Sequence, residues 1–470
     1  MAEADLHGCF ETLSSIIGGK KDIVGADVLR FQPRLLGVIA KVEDRYRSIK
    51  QEEKRLIARK SKLSISWFSR RMAKLARYAD ALLEVLALSR AIGDGFAWTF
   101  YEGDRDLIAE HLKQQPQLLL PPKLGAVGER LTLENMQGLD GKLLIYHGTT
   151  SFLRLGDITF IDLATARVAC IGEIKTRRQD ENTIQISMTL IAGDRESFPK
   201  PPANKVSPKR TRLEPMVLTP AMQSRLKRQR DRMGEAVSRA RASTTTRVNA
   251  RHNGFYYEAL EAVVARSHAR GFEWEQAGKG MLLGALRMSQ TSRLSDRYLP
   301  RKETPVNELL TGVESRALSL VKSDSPDNSM IVGSIGSSKD ELRVSFDTLP
   351  FAQWPIDTQV LGDILFGRVL VVSLFNPGHI WSALRERGFE VSLDQRGAFR
   401  TAKRRKGKKE ERLEHIGYFT NLIQRSLMTE ESVLAMIDQL IDMSHDQLKA
   451  KGEPVRVEFA PRIVRWGRRG

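Results

Sequence analysis

Residues 156–175, GDITFIDLATARVACIGEIK, are the stretch that decides the fold around them. Two apolar runs typical of buried strands flank a short reversal at residues 163–167, and this pattern predicts a β-hairpin. Side chains alternate between the two faces of a strand, so Glu173 and Lys175 project from one face. Folding the first run back on the second brings Asp157 within reach of Glu173.

Two carboxylates and a lysine on one sheet face suit the cleavage of phosphodiesters. Mg²⁺ prefers carboxylate and carbonyl oxygens and leaves positions open for phosphate. A lysine nearby can orient or help to deprotonate the attacking water. Asp162 competes with Asp157 as the first carboxylate, but it lies at the strand end on the opposite face. A solvated hairpin with an edge ion pair between Glu173 and Lys175 remains the structural alternative.

The order of these residues resembles the PD-(D/E)XK nuclease superfamily, in which an Asp and then an acidic residue, any residue and Lys lie on consecutive strands. The resemblance implies that Asp157 and Glu173 are metal ligands, that the Ile174 carbonyl is a third ligand, and that Lys175 acts on the nucleophile. It also implies Mg²⁺, with Mn²⁺ as a substitute. Gly156 stands where the superfamily has its Pro.

A helix is predicted over residues 104–115, with an acidic first turn, apolar residues at helical spacing and a Pro at its end. The superfamily places a helix before the hairpin, often with another acidic ligand. By that resemblance Glu110 is the candidate and Asp106 is second, with an exposed helix carboxylate as the alternative. Residues 104–175 are also similar to the entry region of Shedu-type antiphage nucleases, which implies a role in bacterial defence.

Beyond the hairpin, residues 183–192 alternate apolar and polar side chains and predict the next strand of the same sheet. A Pro-rich stretch at 197–220 predicts a loop or linker. A helix is then predicted to start at Thr219, with Pro220 at its first position. The superfamily often carries a Gln on this helix near the metal, which makes Gln223 and Gln229 candidates; a solvated surface position is the alternative for each.

The net charge of +18 is concentrated in two segments. Residues 200–251 hold fourteen basic and three acidic residues, a net charge of +11, and a second basic run covers 403–409. Such clusters are typical of surfaces that bind a phosphate backbone, although a disordered solubilising arm has the same composition. Nucleic acid, DNA in particular, is the predicted partner. The candidate contacts are Arg225, Lys227, Arg228, Arg230, Lys403, Arg404 and Arg405.

Three regions are predicted along the chain. Residues 1–100 form a helical region, in which helices over 35–60 and 67–100 are expected to mediate homo-oligomerisation or partner docking, with simple packing onto the nuclease domain as the alternative. Residues 101–295 form the PD-(D/E)XK-like domain, a mixed sheet flanked by helices, with a Pro-rich basic insertion near 197–252. Residues 296–470 form a C-terminal α/β domain.

Several segments downstream complete the prediction of an α/β fold. A strand over 279–288 is expected to close the nuclease sheet at its far edge. In the C-terminal domain, a strand at 367–375, a helix and a further strand at 389–393 form a strand-helix-strand element, and tail helices are expected over 411–426 and 430–443.

Composition limits the cellular setting. The two cysteines are far apart in sequence, which argues against a disulfide or a thiolate zinc site and for a reducing, cytoplasmic compartment. No secretory signal and no membrane-spanning segment is expected, and no membrane partner. The predicted function is a Mg²⁺-dependent nuclease. The alternatives are a catalytically degenerate nuclease fold that binds nucleic acid or scaffolds a defence complex.

Overall fold

The computed structural model of the chain describes residues 2–18, 25–101, 104–116, 119–120, 124–135, 142–165, 167–178, 180, 184–192, 220–242, 246–249, 253–288, 317, 319–325, 329–336, 341–344, 348–393, 400–406, 409–413, 416–446 and 455–458. Helices and sheets are both abundant in these residues, and the fold is mixed α/β, as predicted. The chain forms two compact units. The first comprises Met1–Ile65, Val85–Ser243 and Arg343–Phe346, and the second Ser66–Glu84, Thr244–Leu342 and Asp347–Gly470.

The first unit holds the predicted hairpin. Its elements in chain order are α1 (Ala2–Ile17), α2 (Gly25–Ala58), α3 (Ile65–Tyr101, whose residues divide between the units), α4 (Arg105–Leu112), α5 (Leu124–Asn135), β1 (Lys142–Tyr146), β2 (Ile158–Asp162), β3 (Arg167–Arg178), β4 (Ile184–Ala192) and α6 (Pro220–Arg241). These bounds confirm the predicted N-terminal helices, the helix before the hairpin, the hairpin itself, the strand after it and the helix near Thr219. The Pro-rich stretch at 197–219 lies outside the described residues.

The sheet of the first unit has the order β1-β2-β3-β4. Ile158 pairs with Gly172, and the register of β2 on β3 shifts at a bulge between Phe160 and Ile161. All pairings described in this sheet are antiparallel, so the mixed sheet that the resemblance implied is not found here. Antiparallel strands need only short reversals, which is why the local sequence was enough to predict the hairpin.

Helices cover this sheet through specific contacts. The buried Gln32 of α2 donates to the Leu144 carbonyl at 2.6 Å and accepts from the Tyr146 amide at 2.8 Å. This side chain therefore satisfies backbone groups on the outer edge of β1 that have no neighbouring strand in the described sheet. Helix α5 packs on β3, and α4 packs on α6. The part of the hairpin that carries Asp157 and Glu173 therefore lies beside two helices, α5 and α6.

The second unit contains further sheets. Its elements are β5 (Thr246–Asn249), α7 (Tyr257–Arg270), β6 (Phe272–Gln276), β7 (Met281–Arg287), β8 (Ile331–Ile335), α8 (Thr358–Leu365), β9 (Val369–Phe375), α9 (Gly378–Glu386), β10 (Glu390–Leu393), β11 (Arg400–Lys406), β12 (Lys409–Leu413), α10 (Gly417–Ser426), α11 (Glu430–Asp446) and β13 (Val455–Glu458). Strands β6-β7-β9-β8 form one sheet, β10-β11-β12 a second, and β13 pairs with β5.

Two predictions for this region are wrong, and one is confirmed. Strand β7 does not close the sheet of the hairpin, because it pairs with β6 and β9 in the second unit. Strand β9, helix α9 and strand β10 form the predicted strand-helix-strand element, and β10 pairs with β11. Residues 409–413 are a strand, and the helix expected from 411 begins at Gly417. For β7 the local pattern predicted the strand correctly, while its partner strands were set by contacts distant in sequence.

Candidate active site

Asp157 is attached to strand β3 by two hydrogen bonds. Its backbone N–H donates to the Gly172 carbonyl at 2.8 Å, and its Oδ2 accepts from the Ile174 N–H at 2.7 Å. These two residues flank Glu173 in the sequence. The tertiary structure therefore places Asp157 beside the Glu-Ile-Lys triplet, as the hairpin pattern predicts. Asp162, the competing carboxylate, instead accepts from the amides of Ala164 and Thr165 in the reversal.

Gly156 makes this attachment possible. Its φ is +78°, a conformation that side chains strongly disfavour, and a Cβ there would lie 2.6 Å from the Gly172 carbonyl oxygen. The ring of a proline requires φ near −65°. The backbone of this chain thus reaches Asp157 by a route that the Pro of the superfamily pattern could not follow.

Glu173 receives two donors. It is 7% exposed, and its Oε1 accepts from Lys175 Nζ and, at 2.8 Å, from Gln229 Nε2 of α6. Among the described residues, the buried Gln229 Oε1 has no hydrogen-bond partner. Gln229, one of the two predicted glutamines, contacts the triplet; the side chain of Gln223 lies outside the described part of the chain.

Glu129 is a further carboxylate near the hairpin, and its place there was not predicted from the sequence. It lies on α5, is 6% exposed, and is hydrogen bonded to the Tyr146 hydroxyl. Burial raises the pKa of Glu129 to about 8; the Tyr146 hydrogen bond opposes this rise and the Asp157 charge adds to it. Burial and the Glu173 charge likewise raise the pKa of Asp157 to about 6. Glu129 therefore belongs electrostatically to the group around the hairpin.

Close packing brings Glu129 to this position. A Cβ on Gly128 would lie 1.8 Å from Thr176 Oγ1 of β3, so α5 approaches the strand at a distance that only glycine permits. In the sequence, the feature that marks this position is the pair Gly128-Glu129 in α5, the helix that packs on β3. Because a lone acidic residue on a short helix looks the same whether it faces a site or solvent, the choice between Glu110 and Glu129 depended on tertiary packing.

Glu110 lies in a different environment. Its side chain is nearly buried, with an Oε1 that accepts from Lys113 and an Oε2 that accepts from Arg239 of α6 at 3.0 Å. Burial, which raises the pKa of Glu110, is outweighed by Lys113 and Arg239, and the pKa lies below its usual value. The structure thus places Glu110 in an ion pair between α4 and α6. Asp106, the second candidate, lies in the first turn of α4.

A series of buried hydrogen bonds leads to the residue next to Asp157. His111 Nδ1 accepts from the amides of Arg154 and Leu155 at 3.0 Å each, so its proton lies on Nε2, toward the Tyr101 hydroxyl. The Thr159 hydroxyl lies 2.5 Å from the Tyr101 hydroxyl and 2.8 Å from His147 Nε2.

The proton positions along this series follow from its two ends. His147 Nδ1 lies 3.0 Å from the Gly156 carbonyl, which only accepts, so Nδ1 carries the proton and Nε2 accepts from Thr159. Tyr101 must then donate to Thr159. Burial lowers the pKa of His147 to about 3, and this imidazole therefore stays neutral at ordinary pH. This series of hydrogen bonds ends at Gly156, the residue before Asp157.

A cavity opens next to Asp157. Its lining includes Arg90, Glu129, Tyr146, His147 and Arg154. Both arginines are already engaged by the protein. Arg90 pairs with the buried Glu43, and Arg154 donates to backbone carbonyls such as that of Ser151. The cavity therefore has polar walls, and its two arginines already make contacts within the protein.

The predicted nucleic-acid contacts differ in their surroundings. On α6, the side chains of Lys227, Arg228 and Arg230 are exposed, and Arg230 pairs with Asp231 at 3.2 Å; Arg225 lies on the same helix. In the second unit, Lys403 and Arg405 of β11 are also exposed.

Arg404 is held by its own unit. Its guanidinium pairs with Glu411 at 2.6 Å, donates to the Arg387 carbonyl at 2.9 Å, and lies 4.4 Å from the centre of the Phe389 ring. These contacts give the side chain a structural role on the hairpin of β11 and β12. Its neighbours in sequence, which point to the other face of the strand, are the accessible cations.

The oxygen donors around the hairpin match Mg²⁺ in kind. Within the described part of the chain, no group of three His, Cys, Asp or Glu side chains is arranged to hold a metal ion. Asp157 and Glu173 are nevertheless two adjacent carboxylates, Ile174 adds a carbonyl, and the unpartnered Gln229 Oε1 lies beside them. One or two carboxylates with water are enough for Mg²⁺, so these residues fit the ion.

Comparison of the chain with protein-family models, curated proteins and solved structures finds no match. No helix among the described residues has the length and apolar character needed to cross a bilayer.

Proposed function

We propose that the chain is a Mg²⁺-dependent nuclease that hydrolyses phosphodiester bonds, with DNA as its substrate. One observation carries the proposal: the amide of Ile174 donates to Asp157, and the residues on either side of Ile174 in sequence, Glu173 and Lys175, form an ion pair. Two acidic groups and one cation therefore lie close enough to interact. Mg²⁺ bound there would neutralise charge on the phosphate and acidify a water.

Asp157, Glu173 and the Ile174 carbonyl are the groups that would hold the ion. Lys175 is 31% exposed at its side chain and can reach a water or phosphate oxygen while its charge balances Glu173. Gln229 orients Glu173 through its amide nitrogen and offers its oxygen to a water. Glu129 keeps its proton at neutral pH because its pKa lies near 8, so it adds no negative charge there.

The nearby helix α6 supplies cations for the substrate backbone. Gln229 places α6 directly against Glu173, and the exposed Lys227, Arg228 and Arg230 come from the same stretch of that helix. Side chains of this type bind phosphates without reading sequence. The substrate backbone would accordingly follow α6 past the hairpin.

The test compares cleavage of plasmid and linear DNA in Mg²⁺, Mn²⁺ or EDTA. Wild type should cut in Mg²⁺ and Mn²⁺ but not in EDTA. Lys175→Ala and Glu173→Gln should each lower the rate by about 100-fold or more, within the range for general acid–base and metal-site groups. Lys279→Ala, which removes an exposed lysine from the second unit, is the control and should cut normally. Equal cutting by wild type and Lys175→Ala would reject the assigned centre.

A nuclease fold without activity is the second candidate. It is favoured because Glu173 Oε1 already accepts from both Lys175 and Gln229, and a metal ion would have to share this oxygen with them. This candidate predicts salt-dependent DNA binding with no Mg²⁺-dependent cleavage, and binding that Glu173→Ala leaves unchanged. A role in defence against phage, a cytoplasmic location and assembly through the N-terminal helices stay predictions from the sequence.

A further inference from the structure

The N-terminal half of α3 presents a cationic face with exposed aromatic rings. In sequence, positions 54–79 hold nine basic residues and no acidic one. Within the part of α3 that belongs to the second unit, Leu75 and Ala79 are buried, whereas Trp67 is 45% and Tyr78 36% exposed. The helix is thus anchored on its apolar side and leaves the charged side open.

Five side chains share this open side. Successive residues of a helix turn by about 100°, which puts Trp67, Arg70, Lys74, Arg77 and Tyr78 within roughly one third of the circumference. These five residues are called the α3 face. The three cations are exposed, and Lys74 Nζ lies 5.6 Å from the centre of the Tyr78 ring. From Trp67 to Tyr78 the face is about 16 Å long, roughly the axial length of five stacked nucleotides.

The arginines are held without being neutralised. Arg70 Nε donates to the Ser66 carbonyl at 3.3 Å, and Arg77 Nε donates to the Ala73 carbonyl at 3.4 Å. Both bonds run to uncharged oxygens of α3 itself. The terminal guanidinium nitrogens of the two arginines can still donate to an anion.

We propose that the α3 face binds a single strand of nucleic acid, with Arg70, Lys74 and Arg77 on phosphates and Trp67 stacked on an unpaired base. The choice of nucleic acid rests on the proposed nuclease function. A second copy of the chain is disfavoured as occupant because two segments with this excess of positive charge repel each other. An anionic lipid surface is disfavoured because exposed cations interrupt the apolar side chains, so no broad apolar face exists to enter a bilayer.

Binding is measured in EDTA, so that it does not depend on catalysis. Fluorescence anisotropy with labelled single-stranded and duplex DNA is recorded for wild type, for the triple variant Arg70→Gln/Lys74→Gln/Arg77→Gln, and for Trp67→Ala. The control triple Arg130→Gln/Lys279→Gln/Lys322→Gln removes the same charge from exposed positions elsewhere. Circular dichroism confirms that each variant keeps its helix content.

The α3 triple variant should weaken single-strand binding by 10-fold or more and reduce the salt slope, log K against log salt, by about 2, as expected for three lost phosphate contacts. Trp67→Ala should weaken single-strand binding about 5- to 100-fold and duplex binding much less. Equal effects of the two triple variants, or no effect of Trp67→Ala on single strands, would overturn the proposal. So would loss of binding to phosphatidylserine vesicles by the α3 triple variant with DNA binding intact. Absence of cleavage by wild type would reject the nuclease proposal and leave these binding results standing.

Discussion

The Ile174 amide donates to Asp157 Oδ2 at 2.7 Å, a bond between residues seventeen positions apart in sequence. It fixes the side chain that precedes β2 to the middle of the motif on β3. Because the same strand carries Glu173 and Lys175 on either side of Ile174, any shift of Asp157 changes the geometry of the whole group.

Gly156 should not tolerate a side chain. Gly156→Ala should lower the free energy of unfolding by at least about 2 kcal/mol, because its φ of +78° strains any L-residue and the new Cβ would meet the Gly172 carbonyl. Gly156→Pro, which introduces the Pro of the PD-(D/E)XK pattern, should be more damaging still. Denaturant unfolding measures both.

Gly37→Ala is the matched control for Gly156. Gly37 lies within α2 and a Cβ there would contact nothing within 4 Å. This change should leave stability unchanged or raise it by roughly 0.5–1 kcal/mol. A Gly156→Pro variant as stable and as active as wild type would show that the described path of the backbone into Asp157 is incorrect.

Thr159 should be essential for the buried series of hydrogen bonds between Tyr101 and His147. Thr159→Val keeps the volume but leaves the Tyr101 hydroxyl and His147 Nε2 without their partner, at a cost of about 1–3 kcal/mol. Thr159→Ser retains the hydroxyl and should recover most of that loss. Thr420→Val, which removes one local bond from a buried threonine of the second unit, should cost less than Thr159→Val. Equal losses for Thr159→Val and Thr159→Ser would assign the effect to packing.

Glu129 should make stability depend on pH. The pKa of this group is near 4.5 when unfolded and about 8 when folded. Between these values the folded chain retains a proton that the unfolded chain has released, so the free energy of unfolding falls as pH rises through the window. Glu129→Gln cannot ionise and lacks this contribution. Its stability relative to wild type should therefore increase between about pH 5 and about pH 8, by on the order of a few kcal/mol.

The measurement for Glu129 is the difference between variant and wild type in denaturant midpoint at the two pH values. Using the difference removes the contributions of other titrating groups, such as His147. If the difference is the same at both pH values, the carboxyl of Glu129 is already ionised in the folded chain at the lower pH.

Glu110 should serve the packing of α4 on α6 and not the metal site. Asp157→Asn should abolish Mg²⁺-dependent cleavage, whereas Glu110→Gln should leave it within about twofold of wild type. Because Lys113 and Arg239 are more than half exposed, the ion pairs of Glu110 should contribute only about 0.5–1 kcal/mol. A double-mutant cycle with Arg239→Gln measures the coupling. A loss of cleavage in Glu110→Gln as deep as in Asp157→Asn would restore Glu110 as a site residue.

The hairpin could be predicted from sequence because its signals are local. Alternation of side chains along one strand is enough to put Glu173 and Lys175 on one face, and a short reversal is enough to bring Asp157 near them. The long N-terminal helices and α6 were predicted for the same reason, since apolar periodicity and a Pro at the first helical position act within a few residues.

Which strands pair and which helices contact them was decided by the tertiary structure. Strand β7 looks like any apolar strand in sequence, yet its pairing with β9 assigns it to another sheet. Glu110 and Glu129 are each an acidic residue on a short helix, and only the absence of a Cβ at Gly128 lets α5 approach β3 closely enough to bring Glu129 to Asp157. The sequence by itself determined which elements form and which residues share a strand face. The tertiary structure decided which elements meet, because close packing and burial depend on contacts between residues far apart in the chain.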